Sequence, residues 1–174
     1  YEFALKFKLQ DSDIDPDLYV ESLYESGCDD AVIGTGKKGY IGISFIREST
    51  SAYEAIASAV RDIKKAIPEA ILVEAAPDLV GVTDVANLLG CTRQNIQKLI
   101  SKDSSHCPSA VYGGKQSIWH LASLLEWLVK DKNYQINESL REIAVITMNL
   151  NITKQSEMLD PNLKENFKTL VASK

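Results

Sequence analysis

Cysteine is scarce in this 174-residue sequence, and long apolar segments are absent from it. Its three cysteines, Cys28, Cys91 and Cys107, cannot form a fully paired disulfide framework, so we expect reduced thiols and a cytoplasmic protein. No stretch approaches the roughly 18 consecutive apolar residues of a membrane helix, and no basic leader followed by an apolar run indicates a signal peptide. We therefore expect no membrane partner.

The compositional bias of a disordered or fibrous chain is also missing, since 45% of the residues are hydrophobic and 25% are charged. The net charge of −5 argues against a histone-like protein that coats nucleic acid through charge alone. This charge is unevenly distributed, with a net of −6 in residues 1–77, +1 in residues 78–132 and zero in residues 133–174. The asymmetry predicts a boundary near Pro77 and three parts with these ranges.

The first part alternates apolar and polar residues as a half-buried sheet requires. Phe3, Leu5 and Phe7 would share one face of the first strand. Asp15 followed by Pro16 and, later, Ser51 are typical helix starts. The predicted elements are strand 2–9, helix 16–27, strand 30–33, strand 40–46, helix 52–67 and strand 70–75. This order predicts an α+β fold whose N-terminal part is a ferredoxin-like βαββαβ domain.

Two short helices joined by a tight turn are predicted just after the boundary. Thr83 can cap the first helix, Gly90 suits a left-handed turn, and Thr92 can cap a second helix over residues 93–101. Ala86 supplies the small side chain that a steep crossing of two helices needs. Together these features form a helix-turn-helix pattern. The apolar residues expected in its core are Val85, Leu89, Ile96 and Leu99.

The sequence pattern of residues 82–86, 88–90 and 92–96 resembles the DNA-binding module of the MerR family and of phage excisionases. In that group a wing and a further helix follow, and residues 110–119 and 121–129 are candidates for both. We expect the pair Gly113-Gly114 to form the tight turn of the wing. The resemblance covers residues 79–130 and implies a winged helix-turn-helix within 78–132 that regulates transcription. The whole arrangement is similar to small bacterial proteins described only as DNA-binding.

The predicted second helix carries side chains that suit the major groove of DNA. Arg93 can reach guanine or a phosphate, and Gln94 or Gln97 can pair with adenine edges. Asn95 is a weaker candidate because the next residue is apolar. Within residues 92–120, four basic residues face one acidic residue. The residues expected to contact double-stranded DNA are Thr92, Arg93, Gln94, Gln97, Lys98, Lys102 and Lys115.

A second interpretation of the same pattern is an interaction adaptor whose helix-turn-helix docks a protein. The acidic N-terminal part would then suit a basic protein partner. No nucleotide-binding, metalloprotease or hydrolase motif is present, so we expect neither an enzyme nor a cofactor. We also expect no metal, since the candidate ligands lack the spacing of zinc sites. Those candidates are Cys91, His106, Cys107 and His120.

Three short helices are predicted in the C-terminal part. Asn137 can cap the first, which would extend to about Met148; the second would cover 153–159, and the third would follow Pro161 over 162–172. Helices of this length are marginal in isolation and need packing partners. Packing within the chain and formation of a homodimer are equally compatible with the pattern.

Overall fold

The computed structural model describes residues 1–171 and has a mixed α+β fold, as predicted. The first elements are β1 (Glu2–Lys8), a 3-10 turn (Pro16–Tyr19), α1 (Val20–Ser26), β2 (Ala31–Gly34), β3 (Tyr40–Ile46), α2 (Ala52–Ala66) and β4 (Ile71–Ala76). They are followed by β5 (Leu79–Val80), α3 (Val82–Leu88), α4 (Arg93–Lys102), β6 (Tyr112–Gly113), β7 (Ser117–His120), α5 (Leu121–Lys132), α6 (Glu138–Ser156) and α7 (Pro161–Val171).

The N-terminal elements form a four-stranded antiparallel sheet in the order β2-β3-β1-β4. The strands and the helices α1 and α2 follow one another along the chain in the predicted order βαββαβ. Phe3, Leu5 and Phe7 all lie in a buried cluster with α1 and α2, which cover one face of the sheet. The other face is open, and Val32 and Ile46 are about three-quarters exposed there.

The first predicted helix differs from the observed one at its beginning. The Asp15 carboxylate caps this segment by accepting a hydrogen bond from the amide of Asp17. The amide of Leu18 donates to the carbonyl of Asp15 over 3.3 Å, and this backbone bond closes a 3-10 turn instead of an α-helical turn. The α-helix starts only at Val20 and ends at Gly27, which has a φ of 113°. The predicted stop at a left-handed glycine is therefore confirmed.

A second core lies among α3, α4, α5 and a three-stranded sheet in the order β5-β7-β6. The predicted cap at Thr83 is wrong, because α3 already begins at Val82 with Gly81 in the capping position. The amide of Gly81 donates to the carboxylate of Asp84 over 2.8 Å, and this bond fixes the earlier start. Thr83 consequently lies exposed within the first turn of the helix.

The predicted Gly-Gly turn of the wing is also wrong by one position. Gly113 pairs with Ser117 inside the β6–β7 ladder, so the connecting loop consists of residues 114–116. A β-carbon on Gly114 would lie 2.4 Å from the ring of Tyr112. Glycine at this position therefore lets the Tyr112 ring fold against the loop.

The C-terminal part contains one long helix where two were predicted. Helix α6 runs without interruption from Glu138 to Ser156 because the polar residues in its middle find partners. The side chain of Asn151 accepts from the amide of Ala75 over 2.9 Å and donates to its carbonyl over 2.8 Å, so it satisfies both backbone groups of a β4 residue. Of the third predicted helix, residues 161–171 are helical, while Ala172 lies outside the described residues.

Helix α6 joins the two cores at the chain segment where the boundary was predicted. Its neighbouring residues Ile143 and Ala144 belong to the first and the second cluster, respectively. The Thr147 hydroxyl donates to the carbonyl of Pro77 over 2.6 Å. Buried Asp78 accepts from the Asn151 amide over 2.8 Å and pairs with His120 over 2.7 Å. Polar bonds thus fix the sheet, the middle part and α6 to one another.

Among the described residues, no helix has the length and apolarity needed to cross a membrane.

Candidate nucleic-acid interface

A tight turn between α3 and α4 sets the direction of the second helix. Gly90 has a φ of 62°, the left-handed conformation predicted for it, and the next amide, of Cys91, donates to Ala86 over 2.9 Å. The Thr92 side chain then accepts from the amide of Asn95 over 3.2 Å and caps α4, which confirms its predicted structural role. Ile96 is 1% exposed and holds the inner face of α4 in the second core.

The outer face of α4 brings together four of the residues expected to contact DNA. Arg93, Gln94, Gln97 and Lys98 are all exposed and line one shallow surface groove. The 3.6-residue period places Gln94 and Lys98 opposite buried Ile96, with Arg93 and Gln97 nearer to the buried side. Ser101 completes this face, with its hydroxyl 3.5 Å from the Gln97 amide. We call these five residues the outer face of α4.

The remaining predicted residues surround this face at different positions. Thr92 lies at the N-terminal end of α4, and Lys102 occupies its last turn, beside the outer face. Lys115 is exposed in the middle of the three-residue loop of the wing, on a separate element. The structure therefore groups four residues closely, adds two at the ends of α4 and places one on the hairpin.

No acidic side chain lies on the outer face of α4, and the one acid within residues 92–120 is already paired. Asp103 accepts from the Lys132 ammonium over 2.5 Å and pairs with the His106 ring over 2.7 Å. The hydrogen bond from Lys132, and secondly the one from His106, lowers the pKa of the Asp103 carboxyl below its ordinary value. Within the described residues, no carboxylate lies within 4.0 Å of the charged groups of Arg93, Lys98, Lys102 or Lys115.

Two contributions to this site were missed in the sequence. Ser101 follows Arg93 and Gln97 at intervals of four residues, so the helical period could have identified it. The exposed Asn95 side chain donates to the hydroxyl of Tyr134 over 2.8 Å and so fastens α4 to the segment after α5. These partners are 39 positions apart, and no local pattern indicates such a contact.

The wing presents apolar as well as basic groups. Val111 and Tyr112 are 58% and 66% exposed, and Val111 extends the hairpin by donating to the carbonyl of Ile118 over 2.7 Å. Trp119, in contrast, is 6% exposed, donates to the carbonyl of Pro108 over 2.9 Å and belongs to the second core.

The histidines considered as zinc ligands have other partners, since His106 pairs with Asp103 and His120 with Asp78. Among residues 1–171, no three His, Cys, Asp or Glu side chains are grouped as a metal ion would require. Comparison of the chain with protein-family models, with curated proteins and with solved structures found no match. The function must therefore be inferred from the arrangement of α3, α4 and the wing.

Proposed function

We propose that the protein binds double-stranded DNA sequence-specifically with α4 in the major groove. It would act as a cytoplasmic transcriptional regulator of the MerR-like or excisionase-like winged helix-turn-helix kind. The observation that carries this proposal is the acid-free outer face of α4, held outward by a short capped helix pair. A helix in the major groove reads bases with such a face, provided that its charged groups are not engaged within the protein.

The side chains divide into base-reading and phosphate-binding groups. The Arg93 guanidinium can donate two parallel hydrogen bonds to guanine, and the amides of Gln94 and Gln97 can each form two bonds with adenine. Lys98 at the edge of the outer face suits a phosphate. The other groups assigned to the DNA backbone are Lys102, Lys115 and the hydroxyl or amide of Thr92.

The small number of cations limits what one chain can achieve. If about four phosphates are neutralised per chain, the logarithm of the binding constant falls with the logarithm of salt concentration at a slope of about −4. The net charge of −5 also opposes binding at long range. We therefore expect useful affinity to need two copies on two half-sites.

The first test is selection from random duplexes, followed by anisotropy titrations of the recovered sequence at several salt concentrations. Recovery of a motif, preferably an inverted repeat, supports a sequence reader and gives the spacing of its half-sites. Failure to bind any duplex even at low salt would contradict the proposal.

The double variant Arg93→Ala, Lys98→Ala then tests the outer face of α4. We expect binding to the selected sequence to weaken by more than about tenfold, because one good base contact alone contributes about 1–3 kcal/mol. The control is Lys37→Ala, Lys38→Ala, which removes two exposed positive charges from the N-terminal part. Equal losses of affinity in both variants would mean that the effect comes from net charge and not from the outer face of α4.

An interaction adaptor is the second candidate, and the open face of the N-terminal sheet favours it. Val32 and Ile46 are exposed there, in the part of the chain that carries the net charge of −6. A basic protein with an apolar patch would fit such a face. Unchanged DNA binding of the Arg93→Ala, Lys98→Ala variant together with loss of a protein partner would favour this function.

A further inference from the structure

Two lysines are held together at one end of the open face of the N-terminal sheet. The ammonium group of Lys37 lies 4.2 Å from the centre of the Tyr40 ring, and that of Lys6 lies 5.7 Å from it. Attraction to the ring places the two ammonium groups without neutralising them. Within the described residues, no carboxylate lies within 4.0 Å of either group. Two like charges held at one ring in this way favour an anion from outside the chain.

The lysines line a groove of about 450 Å³ on this face, a volume that suits a small molecule. Its floor lies on strands β1, β2 and β3 and includes Ala4, Gly34, Gly42 and Ser44. Gly34 and Gly42 pair in register, neither has a positive φ, and no atom lies within 4 Å of a β-carbon added to Gly42. The fold itself therefore does not require glycine at Gly42, whereas a ligand that approaches the sheet closely does.

The charges along the groove indicate what kind of anion fits. Among the described residues that line it, Glu74 is the one acid. It lies opposite Lys6 in the register of β1 and β4, with its carboxylate more than 4.0 Å from the ammonium group. Two positive charges and one negative charge leave a net of +1, which a monoanion balances. Glu74 also repels the anionic group of a ligand, so this group is directed to the end of the groove at Tyr40.

We propose that the groove binds a planar aromatic carboxylate, with its rings over Gly42 and its carboxylate between the ammonium groups of Lys6 and Lys37. Gly42 and Tyr40 are two residues apart on β3, or about 7 Å, and an aromatic body of two fused rings spans such a distance. One carboxylate can accept hydrogen bonds from both ammonium groups. This ligand site goes beyond DNA binding and does not depend on it.

The test is an NMR titration of the backbone amides of the full chain with two probes of the same shape, 2-naphthoate and the uncharged 2-naphthamide. We expect saturable shifts for the amides of Gly34, Lys37 and Gly42. The naphthoate should bind about fivefold more tightly than the naphthamide, as an exposed ion pair allows. No DNA is present in this experiment, so its result is separate from that of the DNA-binding tests.

Lys37→Gln tests the recognition of charge. The variant should bind the naphthoate about fivefold more weakly and the naphthamide unchanged, because only the first probe pairs with the lost ammonium group. The control is Lys38→Gln, which removes the neighbouring charge outside the groove and should leave both affinities unchanged. Equal effects of the two variants on naphthoate binding would mean that net charge alone attracts the probe, and would overturn the site.

Gly42→Val tests the floor of the groove. Valine suits a strand, and its side chain would fill the space over which the rings lie. Both probes should therefore bind more than about tenfold more weakly. The control is Gly113→Val in the wing, where an added β-carbon also meets no atom within 4 Å; this variant should bind both probes normally. The amide spectra establish that both variants fold.

Three results would overturn the proposal. The first is shifts that do not saturate or that lie away from the groove. The second is equal binding of the two probes, or full binding by Gly42→Val. The third is a change of the groove amides when the free protein is diluted, since a second copy would then cover this face.

Discussion

The two cores of the molecule differ in how completely they are closed. In the N-terminal core, Phe7, Ile41 and Phe45 from two long paired strands have no exposed surface. In the second core, Ile96 is equally buried, but Leu89 and Leu99 beside it remain half-buried. The difference suits a division in which the first core supplies most of the stability. A short helix that presents one whole side to a ligand has fewer residues left for packing.

The arginine side chains of the two parts also differ in burial and in pairing. Arg47 is buried in the N-terminal part, where it bonds to Asp30 over 2.7 and 2.9 Å and to Asp62 over 2.8 Å. The hydrogen bond with Asp30 above all raises the pKa of the guanidinium further, against the effect of burial. Arg93 on the outer face of α4 has no carboxylate partner within the described residues. One arginine stabilises the fold, whereas the other remains accessible to a ligand.

The largest expected effect comes from Arg47→Met, which should destabilise the N-terminal core and leave the packing of the second core unchanged. Removal of the guanidinium leaves Asp30 and Asp62 without their partner, so the free energy of unfolding should fall by about 3 kcal/mol. Urea denaturation measures the loss. The control Arg61→Ala breaks an exposed pair with Glu54 and should cost less than about 1 kcal/mol. Similar losses in the free energy of unfolding for both variants would mean that the buried cluster stabilises the protein no more than an exposed ion pair does.

Asn151→Ala tests the polar contacts by which α6 connects the two cores. The change leaves the amide and carbonyl of Ala75 without side-chain partners and removes one bond to Asp78. We expect a loss of about 2 kcal/mol, since each buried unsatisfied group costs about 1–3 kcal/mol and water can partly replace the side chain. Hydrogen exchange of the Ala75 amide should accelerate. The control is Asn149→Ala, in an exposed position of the same helix. An equal loss there would mean that the contacts of Asn151 do not specifically stabilise the connection between the two cores.

Gly90→Ala should lower the stability of the second core alone. The φ of 62° at Gly90 is unfavourable for alanine, although no atom lies within 4 Å of the added carbon. The expected cost is therefore conformational, about 1 kcal/mol. We expect faster amide exchange in α4 and weaker DNA binding, with unchanged exchange in β1 and β3. The matched change Gly36→Ala meets no atoms within 4 Å and has no positive φ, so a comparable loss there would refute the conformational explanation.

Local patterns predicted the regular elements and the capped helix pair, whereas distant contacts decided the corrections. The alternation around Phe3 and Phe7 predicted β1, and β3 was predicted with its observed bounds. Strand β5 has two residues, too few to show any alternation. The continuity of α6 depends on a bond from Asn151 to Ala75, 76 positions away. The outer face of α4 was predictable from period and capping, and its binding to DNA stays a prediction.

The smallest expected effect concerns Asp103, the one acid within residues 92–120. Asp103→Asn removes a negative charge at the end of α4 and frees Lys132 and His106 from it. DNA binding should strengthen by less than about tenfold at low salt and converge with the unaltered protein at high salt, because the charges are screened. Salt titrations of both proteins on one duplex measure this difference, and a gain that persists at high salt would point to a structural change instead.

The pH dependence of stability gives the same carboxylate an independent signature. Since folding lowers the pKa of Asp103, the ionised carboxylate stabilises the folded protein above its unfolded pKa, and this contribution is lost as the pH falls through the lower folded value. Asp103→Asn should therefore be less stable than the unaltered protein near neutral pH, and the gap should close in acid. Denaturation at several pH values measures the gap. If it stayed constant with pH, the lost interaction would be packing or a neutral hydrogen bond, and the pairing with Lys132 would not control the charge beside α4.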